Sequence, residues 1–111
     1  MDAVIEADAN LGSLRNHACE TTSLSLTIQS YTNGLEALDY SSCPPDFEEG
    51  FRLHIQAWKD LIPLVTPYDS LRGEMHDLFA IIEQQPDSIR FIDGVDEVWS
   101  TWALIEKAME E

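Results

Sequence analysis

Apolar residues recur every three or four positions along almost the whole chain, and no useful stretch alternates with the period of two that a strand requires. That single pattern restricts the chain to an all-α fold. In the first segment Val4, Ala7, Leu11, Leu14, Ala18, Thr21, Ser25, Ile28, Thr32 and Leu35 form a seam, although its middle is small or polar. A second stripe of Leu24, Ile28, Tyr31, Leu35 and Leu38 takes over towards the end. The spacing predicts one long helix from Asp2 to about Asn33, with Gly34 ending it or marking a weak point and a last turn reaching Asp39.

Cys43-Pro44-Pro45-Asp46 restarts the chain, because proline lacks an N–H and fits the first turn of a helix. Phe47, Phe51, His54, Ile55, Trp58, Leu61, Ile62 and Val65 then make the clearest amphipathic stripe. Pro63 removes the hydrogen bond to the Lys59 carbonyl, so this helix should kink or stop near Ile62. Thr66-Pro67-Tyr68-Asp69 predicts a third helix start, with Thr66 as cap and Asp69 reaching back to it. Its stripe is Leu71, Met75, Leu78, Phe79 and Ile82. After a short irregular or one-turn piece, Asp93 and Asp96 mark a fourth helix that buries Val95, Val98, Trp99, Trp102, Ile105 and Met109.

Four helical segments with short connections pack most simply as an antiparallel up-and-down four-helix bundle, a single helical domain over residues 1–111. The first helix would span about 45 Å against about 25 Å for the second and third. Its N-terminal half would then overhang, leaving Val4, Ala7, Leu11, Leu14 and Ala18 as an apolar strip for a second copy of the chain. A two-fold homodimer follows from that expectation. The same long helix would hold Cys19 far from Cys43, so no bridge between them is expected.

Charge limits the function. There are 21 Asp plus Glu against 6 Lys plus Arg, a net charge of -15. An electrostatic nucleic-acid binder draws on Lys and Arg at each phosphate, which this chain lacks. Anionic lipid is an equally poor match. The longest uncharged run, Thr21 to Leu35, is rich in Thr, Ser, Gln and Asn and cannot span a bilayer. Met1 to Asn10 is acidic and has no basic segment leading into an apolar core, so a cytoplasmic location is the expectation.

Few residues point to chemistry. His54 lies on the apolar stripe between Phe51 and Trp58, where it is either a hydrogen-bonded core histidine or a ligand group. Arg72-Gly73-Glu74-Met75-His76 is the densest polar cluster, with His76 at the edge of the buried face. Gly73 there suggests close approach of another group, and Arg72 has a structural pairing role as its alternative. A pocket lined by His54, Trp58, Arg72, His76 and Trp102 is the first place to look for a ligand. The residues three before His17, His54 and His76 are Leu14, Phe51 and Gly73, so the Glu-x-x-His spacing of di-iron bundles is missing. His-x-x-x-His, C-x-x-C, G-x-S-x-G and Gly-rich phosphate loops are missing too. No metal or cofactor is expected, and no catalytic residue is assigned.

Two functions fit these observations. One is a non-enzymatic acidic protein that forms a homodimer and binds a basic protein partner. The other is a helical domain with a small-ligand or metal pocket around His54 and His76. A filled core with an apolar strip on helix one favours the first; a pocket between the two histidines favours the second.

Overall fold

A computed structural model describes residues 1–110. Helix is the only regular structure among them. The α-helices are α1 (Asp2–Ala18), α2 (Leu24–Glu36), α3 (Pro45–Val65), α4 (Met75–Glu83) and α5 (Ile89–Met109), with a 3₁₀ turn at Thr66–Tyr68. The all-α class stands; the four-helix bundle with a long first helix does not, since the described residues form five α-helices and α1 has 17 residues.

The break falls in the small, polar middle of the seam. Thr21, Thr22 and Ser23 compete with helical backbone bonds through their hydroxyls and favour caps and turns. Ser23 takes an extended backbone (φ -69, ψ 151) and caps α2, its hydroxyl accepting from the Leu26 N–H. Asp69 secures this start from outside. Its Oδ1 accepts from the Ser25 N–H at 3.0 Å and its Oδ2 from the Ser25 hydroxyl at 2.6 Å. A carboxylate there faces the positive end of the helix dipole. The chain then folds back, and Gly34 receives Leu11: a Cβ on Gly34 would lie 2.9 Å from Leu11 Cδ2. Gly34 thus lies in the last turn of α2, two residues before its end, and serves as a packing site for Leu11.

Folding back covers the strip expected to hold a second copy. Val4 is buried, Ala7, Leu11 and Ala18 are half-buried, and Leu14 alone is 68% exposed. A dimer through this strip loses its premise.

The molecule is organised around the pairing of α3 with α5. Gly50 lies against Ile105, His54 bonds Thr101, and Leu61 lies against Gly94. Each step forward on α3 matches a step back on α5, so the two run antiparallel in constant register. Phe47, Phe51, Leu61 and Val65 from α3 and Ile105 from α5 join Leu24, Ile28 and Leu35 from α2 in the core.

Three boundaries move relative to expectation. α3 passes Pro63 and ends at Val65, with Pro63 exposed on its outer side. The Thr66-Pro67 signal produces only the 3₁₀ turn, because Asp69 is spent on α2; α4 begins at Met75, capped by the Glu74 carboxylate on the His76 N–H. α5 starts at Ile89 instead of Asp93, which brings Phe91 into the buried stripe and leaves Trp99 and Met109 65% and 41% exposed. Cys19 and Cys43 are both free thiols, although α1 ends just before Cys19. No helix among the described residues is long and apolar enough to cross a membrane.

Candidate functional site

A cavity of about 420 Å³ opens between the helices, and all five contribute walls. The volume lies within the range of roughly 300–1,000 Å³ typical of small-molecule sites. α1 supplies Asp8, Arg15 and Asn16, and α2 supplies Tyr31. His54, Trp58 and Leu61 come from α3; Met75, His76, Phe79, Ala80 and Glu83 from α4; Val95, Val98, Trp99 and Trp102 from α5. The break after Ala18 creates this site, because only a folded-back α1 can bring Asp8 and Arg15 over α3.

His54 is held on both nitrogens. The Thr101 hydroxyl has backbone carbonyl acceptors at Val98 (2.9 Å) and Glu97 (3.1 Å), so it accepts from His54 Nδ1–H at 2.9 Å. The Trp58 indole N–H donates to His54 Nε2 at 3.2 Å. This network defines a neutral imidazole with its proton on Nδ1. Burial pushes the His54 pKa down to about 4, opposed by a hydrogen bond to the Val98 backbone and helped by the Arg15 charge. The ring packs against Trp102, centroids 5.5 Å apart, and lies edge-on to Trp58.

The polar end is built by Asp8, Tyr31 and Arg15. The Tyr31 hydroxyl donates to Asp8 Oδ1. Burial raises the Asp8 pKa, opposed by the Tyr31 bond and the Arg15 charge, and burial together with Asp8 raises that of Tyr31. The Arg15 guanidinium carbon stands 4.5 Å from the Tyr31 ring centroid and 4.4 Å from that of Trp58. Cation–π attraction of this kind holds the guanidinium against the rings, with the Asp8 charge nearby but not in direct contact.

Of the residues singled out from sequence, His54, Trp58, His76 and Trp102 line the cavity together. Arg72 does not. It lies in the loop before α4, donating to the Asp69 and Leu71 carbonyls at 2.6 and 2.9 Å. His76 sits at the exposed rim with Nδ1 2.8 Å from Glu74 Oε1. Gly73 does make a close approach, its N–H donating to the Cys19 carbonyl at 3.1 Å, with φ at +156°. Asp8, Arg15 and Tyr31 escaped sequence reasoning, because a continuous first helix points Arg15 and Tyr31 at nothing in common. Among the described residues no group of three or more His, Cys, Asp or Glu is placed to hold a metal ion. Comparison of the chain with protein-family models, curated proteins and solved structures gives no match in any of the three.

Proposed function

We propose that this chain is a non-catalytic binding protein for a small molecule carrying an aromatic ring, held in the cavity between its five helices. One observation carries the reading: a cavity of about 420 Å³ walled by Trp58, Phe79, Trp99 and Trp102, with Asp8 and Arg15 supplying charge from α1 and Glu83 from α4. Apolar walls with a few convergent polar groups are the usual make-up of a ligand pocket. Binding is favoured over catalysis because His54 has no nitrogen left for proton transfer and the buried thiol Cys19 is not in the lining.

Thermal unfolding with naphthalene-sized aromatics tests it. Exposed Ala80 stands at the cavity wall, and Ala80→Trp should obstruct the space at a helix-propensity cost of only about 0.5 kcal/mol. The ligands should raise the melting temperature of the wild type and not of A80W. Equal shifts in the two proteins would move binding elsewhere, and no shift in either would remove the reading.

A second reading keeps the basic protein partner, and the outer side of α5 favours it. Ile89 is 71% exposed there with Asp93 one turn on, and Trp99 is 65% exposed at the cavity mouth with Asp96 one turn before it. An exposed tryptophan beside a carboxylate offers an anchor and a matching charge to such a surface.

A further inference from the structure

Arg15 is the one Lys or Arg in the cavity wall, and among the described residues it takes part in no ion pair. That is unusual in a chain with 21 carboxylate side chains and 6 Lys plus Arg. Its Nε and Nη2 both donate to Asn16 Oδ1, at 3.2 and 3.0 Å. These bonds hold one edge of the guanidinium, the Tyr31 hydroxyl and the Asp8 charge lie near it, and no carboxylate among the described residues comes within ion-pair distance. The stack on Tyr31 and Trp58 then holds the cation beside the aromatic walls.

Building on the binding reading above, we propose that the cavity takes a planar aromatic carboxylate, its carboxyl group on Arg15 and its ring among Trp58, Phe79 and Trp102. A carboxylate accepts two parallel N–H bonds from a guanidinium, which sets orientation as well as affinity. The two other carboxyl groups in the wall do not fill this place. Asp8 gives Oδ1 to the Tyr31 hydroxyl and acts on Arg15 through its charge without coming within ion-pair distance, and Glu83 is exposed. A cationic ligand of the same shape would have to lie against Arg15. The net charge of -15 slows the approach of any anion, but beyond about 8–10 Å it is screened at physiological salt, whereas the contact with Arg15 is direct.

Three probes of one shape separate the proposal from the reading it rests on: 2-naphthoate, 2-naphthylmethanol and 2-naphthylmethylammonium, titrated calorimetrically. Naphthoate should bind the wild type about tenfold tighter than the alcohol, the size of one charge-assisted hydrogen bond, with the ammonium weakest. Arg15→Gln should remove the difference between naphthoate and the alcohol, so that both bind the variant equally, whatever the affinity of the alcohol itself. The alcohol or the ammonium binding the wild type as tightly as naphthoate would overturn the carboxylate assignment and leave the cavity a binding site. An advantage of naphthoate that survives in R15Q would overturn it as well. Should R15Q lose its helical signal, the order of the three probes on the wild type decides alone. Failure of all three to bind at millimolar concentration would instead overturn the binding reading.

Discussion

His54 sits in a stripe that sequence reads as core, and its surroundings keep it there without charge. Thr101 accepts from one ring nitrogen and Trp58 donates to the other. An unfolded histidine has a pKa near 6.5, and burial brings this one down to about 4. Below about pH 6.5 the unfolded chain therefore gains a proton that the folded chain refuses, so stability is lost as pH falls towards 4. Asp8 works in the opposite sense: its pKa is raised by burial, so its contribution is gained as pH falls and lost as pH rises. Urea unfolding isolates the histidine term if the wild type is compared with His54→Gln. Between pH 7 and pH 5 the wild type should lose about 2 kcal/mol more than the variant. Parallel pH dependences would mean that His54 is not held neutral. Thr101→Val should cost about 1 kcal/mol, because Nδ1–H loses the hydroxyl and keeps only the Val98 carbonyl as an acceptor.

α2 has a start of its own, and two side chains make it. The contact from Ser23 to the Leu26 N–H is long, 3.4 Å, whereas Asp69 makes two shorter bonds to Ser25 and carries charge. Asp69→Ala should therefore cost about 1–2 kcal/mol in thermal unfolding, and Ser23→Ala less. The reverse order would mean that α2 is capped locally and the 3₁₀ turn plays no part. The α1 hairpin predicts a second contrast. Leu14→Glu, on the exposed side, should change stability by no more than about 0.5 kcal/mol, while Leu11→Glu should cost about 1–3 kcal/mol because Leu11 packs on Gly34. Equal, small costs would leave α1 undocked.

These same elements show what the sequence could and could not reveal. The Pro44-Pro45 restart and the α3 stripe from Phe47 to Val65 were legible because a strong period coincides with a strong start signal. The break after Ala18 was not: Thr21 and Ser25 keep the three-and-four spacing, and the carboxylate that caps α2 lies far along the chain at Asp69. Asp69 was misread for the same reason, since Thr66-Pro67-Tyr68-Asp69 fits a local cap equally well. In the site, His54, Trp58, His76 and Trp102 could be named because each lies on or beside an apolar stripe. Asp8, Arg15 and Tyr31 could not, because their meeting depends on the hairpin.

At the scale of the whole molecule, short α4 sits against α1 and α5, and its Phe79 reaches Trp58 with ring centroids 6.4 Å apart. Space remains between these side chains, and every helix borders it. The cavity is thus a product of the complete fold, and α1 docking should respond when it fills. Indole and backbone N–H signals of isotope-labelled protein, recorded in two-dimensional NMR spectra during titration with 2-naphthylmethanol, report on all of it at once. Saturable shifts are expected at the Trp58, Trp99 and Trp102 indoles together with the amides of Arg15 and Asn16. Shifts confined to Ile89, Asp93 and their neighbours on the outer side of α5, with Trp58 and Arg15 unmoved, would contradict binding between the helices.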